Sequence, residues 1–247
     1  DDGLSINNNG TIVAIGSHYY NNNQGRTVVY ERNNNSWIQK GTDIFNSNGT
    51  DGFGGYCFLN GTGNRIAVSN DYSSNSYGNV VVYEYNNNDW QSIGSWSGTV
   101  DSQKLGRGTA FNYNGTRIAI NSRYDINTGI GNGGLYIYDY ISQNNWSLVG
   151  TIPYSNYINT KIVFNKQGNI LAHVIQESGR LGFSLLKYEN NNWISYGRLE
   201  SPDTSQFSAS SGLAMNDNGD QIIIGGPEEP LDGNYYGRVY IYNYINN

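Results

Sequence analysis

Apolar and polar positions alternate along this chain in short bursts, and the bursts recur in a fixed order. A turn glycine preceded by polar, often Asn-rich residues stands at Gly10, Gly63, Gly115, Gly168 and Gly219, spaced by 53, 52, 53 and 51 residues. Each is followed by an apolar run: TIVAIG, NRIAVS, TRIAIN, NILAHV and DQIIIG. After a variable stretch comes a run in which β-branched and aromatic residues alternate with others, as in VVVYEY and VYIYNY. A period of two is the signature of a strand, and a helical period is nowhere sustained.

Two more segments complete each unit. Ahead of the turn glycine lies a short strand with small residues (GLSIN, GYCFLN, GTAFNY, TKIVFN, GLAMN), suited to the crowded inner end of a radial assembly. After an Asn-rich turn, where Asn tolerates positive φ, comes a strand led by Trp: WIQKGTDI, WQSIGSW, WSLVGTI, WISYGRL. The Trp is expected to cover the outer edge of its sheet. A four-stranded antiparallel unit of about 52 residues cannot bury both faces alone, whereas units packed face to face around an axis can. The pattern therefore predicts an all-β, five-bladed β-propeller forming a single domain over residues 1–247. Its blades fall at approximately 1–45, 46–98, 99–152, 153–200 and 201–247. The last blade is expected to be three-stranded, because the sequence stops where its Trp is due. That leaves GRVYIYNYINN as an edge able to accept a strand from another chain.

Composition narrows the partners. With 14 Lys and Arg against 20 Asp and Glu and a net charge of -6, the clustered cationic footprint of a nucleic-acid binder is missing. No apolar run approaches the roughly 20 residues that cross a bilayer, so membrane insertion is not expected; a monomer is. The single Cys, Cys57 in GGYCFLN, reads as a packed thiol. Two His and one Cys are too few for a zinc centre. Neither a P-loop nor a dinucleotide fingerprint occurs, and no cofactor is expected.

The phrases IAIG and GRVYIYNY, with Phe53-Gly54-Gly55 before an inner strand and Gly225-Gly226-Pro227 after an IIIG run, resemble the FG-GAP repeats of integrin alpha subunits and their microbial relatives. The resemblance covers essentially the whole chain and implies a propeller, commonly an extracellular or surface-exposed binding module. The chain departs from integrins in having five units in place of seven and no acidic calcium loop. Calcium needs six to eight oxygens, several from carboxylates at alternating positions. The best candidate, Asn216-Asp217-Asn218-Gly219-Asp220, is preceded at the alternating position by Ala214 and reads as a hairpin turn.

Propeller ligands sit among variable loops at one end of the blades. The loops after the IAIG strand and after the Trp strand should share that end. Alignment on the turn glycine places His18, Asp71, Arg123, Gln176 and Pro227 in one column, and Tyr19, Tyr72, Tyr124, Glu177 and Glu228 in the next. Tyr19, Asp71, Tyr72, Arg123, Tyr124, Glu177 and Glu228 form the candidate ligand-binding rim, able to stack on sugars or side chains while hydrogen bonding polar groups. The leading function is a non-catalytic scaffold recognising a protein or a glycan. The alternative is a carbohydrate-active hydrolase with two converging carboxylates from Asp71, Asp125, Glu177 or Glu228. His173 occupies the column of Ile15, Val68, Ile120 and Ile224 and is read as packing.

Overall fold

The structure, a computed structural model, describes residues 3–45, 52–70, 77–123, 133–154, 161–177, 180–200, 212–226, 230–231, 234–235 and 238–244. The strands of blade 1 are β1 (Leu4–Ile6), β2 (Ile12–Ser17), β3 (Arg26–Asn33) and β4 (Ser36–Gln39). Blade 2 holds β5 (Tyr56–Leu59), β6 (Arg65–Asn70), β7 (Asn79–Asn86) and β8 (Asp89–Ser97). Blade 3 holds β9 (Thr109–Phe111), β10 (Arg117–Ser122), β11 (Gly134–Ser142) and β12 (Asn145–Pro153). Blade 4 holds β13 (Ile162–Phe164), β14 (Ile170–Glu177), β15 (Arg180–Glu189) and β16 (Asn192–Glu200). Blade 5 consists of β17 (Leu213–Met215), β18 (Gln221–Gly226) and, after a short hairpin of β19 (Pro230–Leu231) and β20 (Asn234–Tyr235), β21 (Arg238–Asn243). Every sheet is an antiparallel meander in chain order. Together they form a five-bladed β-propeller whose last blade has three strands. A tight turn at Tyr20–Asn23, with Asn21 and Asn22 in left-handed backbone conformation, links β2 to β3.

The second strand of each blade explains how blades join, because its alternate residues face opposite neighbours. Ile66 and Val68 of blade 2 meet Ile12, Ala14 and Val29 of blade 1. Ala67, Val80 and Val82 then meet Ile118 and Ile120; Ala119, Leu135 and Ile137 meet Phe164 and Leu171; Ile170, Ala172 and Leu185 meet Ile222 and Ile224. An Ala column on one face against a branched column on the other lets successive sheets approach closely.

The seam between blades 5 and 1 is different. Leu4 and Ile6 on blade 1 are 73% and 59% exposed, and Val239 and Ile241 on blade 5 are 68% and 58% exposed. The counterparts of Ile241 in the other blades, Val29, Val82, Ile137 and Leu185, are all buried. The Ala column also ends here, with Ile223 in its place and exposed.

Two further devices link the blades. At the turn before each second strand, Asn7, Asn60, Asn112, Asn165 and Asn216 accept at Oδ1 the backbone N–H five residues ahead, at 2.9–3.0 Å. The turn glycines supply the φ of +69° to +81° that this loop requires. In blades 1 to 4 the same amide donates from Nδ2 to a carbonyl of the following blade: Thr62, Tyr113, Gln167 and Asn218.

The second device corrects the expected role of Trp. The ring lies across the seam, over a glycine in or just after the fourth strand of the preceding blade, in place of closing the edge of its own sheet. Trp90, Trp146 and Trp193 cover Gly41, Gly94 and Gly150. A β-carbon on those glycines would stand 2.7, 2.4 and 2.4 Å from the ring. Trp90 Nε1 donates to the Lys40 carbonyl at 2.7 Å and Trp146 Nε1 to that of Ile93 at 2.9 Å. Trp37 of blade 1 is 48% exposed, against 8% for Trp90.

Candidate functional site

The connection from second to third strand and the connection leaving the fourth strand share one end of the blades. In blade 1, Gly25 bridges to Phe53, and the Gly52 amide donates to the Asn23 carbonyl at 2.7 Å. Between blades 2 and 3, Leu105 N–H donates to the Tyr77 carbonyl and Arg123 N–H to the Gln103 carbonyl. The Asn-rich turns lie at the opposite end, as the order of the strands requires.

Tyr19 stands at this loop end and is 73% exposed, its ring 3.8 Å from that of buried His18. Asn21, Asn22 and Asn23 all have positive φ, the conformation Asn tolerates best after Gly, and they fold the loop back on itself. That turn presents Tyr20, whose ring carries the Arg26 guanidinium at 4.1 Å and lies 6.1 Å from Phe45. Arg26 donates to Asp43 at 2.9 Å, and Gln39 donates to the other carboxylate oxygen at 2.9 Å. The result is an exposed pair of aromatic rings, Tyr20 and Phe45, beside a held cation and carboxylate, with exposed Tyr19 next to it in the chain. It offers stacking faces and hydrogen-bonding groups together.

The other rim candidates are placed less fully. Arg123 is half-buried at the loop end of blade 3. Glu177 ends β14, opposite Arg180 in register. Asp71, Tyr72, Tyr124 and Glu228, and with them Asp125, lie outside the described residues. Tyr20, Arg26, Asp43 and Phe45 were not on the rim read from the sequence. They lie one position beyond the aligned columns, or on a neighbouring connection, where a repeat alignment carries no signal.

A second concavity opens at the same end between blades 2 and 3. This cleft of about 210 Å³ is lined by Trp96, Ser97, Gln103, Leu105, Ile120, Tyr136 and Tyr138. Trp96 and Tyr138 pack at 4.9 Å, and burial holds the Tyr138 hydroxyl above its ordinary pKa. Gln103 Oε1 accepts the Thr99 amide at 2.6 Å, which fixes the loop over the cleft.

Two groups with nucleophile or base chemistry are enclosed in the blade packing. Burial pushes the Cys57 thiol up to about 12, with Sγ 3.6 Å from the Ala14 carbonyl oxygen. Burial likewise pushes His173 down to about 4, and its ring stacks on Tyr154 at 5.7 Å. Among the described residues, no three His, Cys, Asp or Glu side chains converge as a metal site. In the Asn216–Asp220 turn, Asn216 Oδ1 accepts the amides of Gly219, Asp220 and Gln221, and Asp217 pairs with Lys166 at 3.2 Å.

No protein-family model matches the chain, and no curated protein matches its sequence. Among solved structures, TolB from Acinetobacter baumannii aligns at a TM-score of 0.52 and 12% identity over 82% of this chain and 44% of its own. The β-propeller domain of the Trilobed protease from Pyrococcus furiosus aligns at 0.59 and 12% over 98% and 68%. A Bacteroides fragilis protein provisionally called a 6-phosphogluconolactonase aligns at 0.56 and 13% over 81% and 54%. The chain thus spans about half the length of the first and third of these structures. At such identities the likeness is one of fold.

Proposed function

We propose that this propeller is a non-catalytic binding scaffold that recognises a protein or a glycan through the loop end of its blades. The observation that carries this reading is the pairing of Tyr20 and Phe45 beside the Arg26–Asp43 pair. Exposed aromatic rings adjoining fixed polar groups suit the apolar face and hydroxyls of a sugar, or an aromatic or charged side chain of a protein. The repeat alignment adds Asp71, Tyr72, Arg123, Tyr124, Glu177 and Glu228 to this proposal as candidate contact residues. The enclosed state of Cys57 and His173 also favours binding over covalent or general-base chemistry.

A glycan array and affinity capture of proteins, run in parallel, test the reading. Saturable binding in either assay that falls at least about tenfold in Tyr20→Ala and Tyr72→Ala supports it, since a stacked aromatic anchor typically accounts for that much. A glycan hit assigns a lectin and a protein hit an adaptor. The likeness in fold to the Bacteroides fragilis protein makes sugar-lactone and aryl-glycoside hydrolysis the assay for the competing reading. Turnover that is lost on substitution of Glu177 or Glu228 would replace the scaffold with a hydrolase.

A further inference from the structure

We infer that the cleft between blades 2 and 3 is a subsite for one neutral pyranose ring, stacked on Trp96 and Tyr138 and hydrogen-bonded by the side-chain amide of Gln103. The subsite rests on the glycan branch of the loop-end reading and gives that branch a ligand class and a place.

The hollow exists because this seam lacks the filler that the seams on either side have. Leu105 stands where Phe53 stands at the seam before, each directly ahead of a glycine at φ +90°, Gly106 and Gly54. Phe53 is fully enclosed and lies edge-on to Tyr83, with centroids 6.5 Å apart. Tyr83 is the counterpart of Tyr138, since they pair with Ile66 and Ile118 at the same place in their sheets. At the seam after, buried Tyr154 stacks on His173 at 5.7 Å, and His173 holds the place of Ile120. Leu105 carries no ring, so about 210 Å³ stays open beside Ile120.

Size, charge and wall chemistry then narrow the occupant. Clefts that enclose drug-sized ligands run to about 300–1,000 Å³, so this one has room for a single ring. None of the described residues lining it is charged, which fits a neutral ligand. Trp96 is held by Tyr138 at 4.9 Å and by Trp146, edge-on, at 5.6 Å. Fixed, half-buried aromatic faces suit the C–H face of a sugar. Gln103 supplies the polar contact. Its Oε1 accepts the Thr99 and Val100 amides at 2.6 and 3.3 Å, which sets the orientation of the side-chain amide. Among the described residues its Nε2 is left without a partner. A hydrocarbon ring would take water from that donor and return no acceptor, a net cost, whereas a sugar hydroxyl or ring oxygen accepts from it. The loop that Gln103 anchors is itself under strain. Among the described residues, eleven other than Gly have positive φ, and nine of them are Asn; the exceptions, Ser102 at +61° and Lys104 at +48°, flank Gln103. Strain of this kind is characteristic of ligand clamps.

The test titrates the whole chain with a panel of neutral methyl pyranosides, read by saturation-transfer NMR and calorimetry. Indole and p-cresol run alongside as stand-ins for the aromatic side chains of a protein partner. At least one pyranoside should bind saturably with a Kd of about a millimolar, the strength that roughly a dozen heavy atoms supply at ordinary ligand efficiency. Leu105→Phe places in the hollow the ring that fills the seam before it, and should abolish binding with the unfolding midpoint unchanged or raised. Gln103→Glu keeps an acceptor for the Thr99 amide and removes the donor, and should weaken binding about tenfold. If Leu105→Phe lowers the midpoint, Gln103→Glu decides. Silence across the panel, or pyranoside binding that neither variant alters, overturns the subsite. Saturable binding of indole or p-cresol alone gives the cleft to a protein side chain and likewise overturns it. Failure of the loop-end reading looks different: an array or capture signal that Tyr20→Ala leaves untouched, in place of a monosaccharide titration that Leu105→Phe leaves untouched.

Discussion

The cross-seam Trp makes a sharp prediction about three glycines that look alike in the sequence. Gly94, Gly150 and Gly197 hold the same place in their strands, and none has the positive φ that would itself penalise a side chain. At Gly150 an added β-carbon would stand 2.4 Å from Cδ1 and 3.0 Å from Nε1 of Trp193. Ordinary contact begins about 1 Å further out, so the indole must retreat and give up part of its packing, an overpacking cost of about 1–3 kcal/mol. Against this stands a gain of about 0.4–1 kcal/mol, because Ala narrows the unfolded ensemble. Gly150→Ala should therefore be destabilised by about 1–2 kcal/mol, and Gly94→Ala equally, since its β-carbon would be 2.4 Å from Trp146 Nε1. At Gly197 only the unfolded-state gain remains, and Gly197→Ala should be neutral or stabilised by up to about 1 kcal/mol. For a chain of this size each kcal/mol moves the midpoint by roughly 2–4 °C. Urea titration and calorimetry of the three variants read the difference. Equal effects at Gly150 and Gly197 would refute the claim that the ring over the glycine distinguishes complete seams from the incomplete blade.

Three further outcomes follow from the same packing. His173 is held neutral, with its folded pKa pushed down to about 4, below the unfolded value of about 6.5. The unfolded chain thus binds the extra proton first, and stability should fall as pH drops from about 6.5 to about 4. His173→Ile, the residue type of blades 1, 3 and 5 in that column, should flatten this slope in urea titrations at pH 7 and pH 4.5. Asn112→Ala removes an acceptor for Arg117 N–H and a donor to the Gln167 carbonyl of the next blade, and should cost about 1–3 kcal/mol. Asn216→Ala, at an exposed turn where Nδ2 bonds Asp220 of the same turn, should cost less in the same calorimetric comparison. Cys57, buried with its thiol pushed up to about 12, should resist an aromatic disulfide reagent in the native protein and react at once in denaturant. Prompt native reactivity would contradict the packed seam at Ala14.

Much of the architecture is legible because a propeller writes its repeat into the chain. The turn-glycine period and the period-two strands reflect physical requirements met in every blade, and the Ala column at Ala14, Ala67, Ala119 and Ala172 one met in the first four. His173 shows the strength of this reading, since its column alone places it in the packing. The loop end shows the limit. Tyr20 and Phe45 come together because Asn21 to Asn23 turn back on themselves, and turns of that kind are set by a few dihedrals that no periodicity encodes. The partner of each Trp was hidden for a different reason. Its glycine lies in the previous unit, so Trp-x-x-x-Gly looks like a local motif although it joins two blades. Nor could a repeat of five similar phrases reveal that the faces carrying Leu4 and Ile241 would remain uncovered. A pattern states that a face is apolar, and only coordinates state what lies upon it.

The alternation of an Ala-bearing face with a branched one has a consequence for how such a molecule changes over generations. Four joints are cut to one template, so loss or duplication of an interior unit brings together two surfaces already shaped for each other, with no compensating substitutions. The fifth unit is exempt from that interchange. With Ile223 standing where its four siblings have alanine, a copy of it would present a bulkier face than the template those joints share.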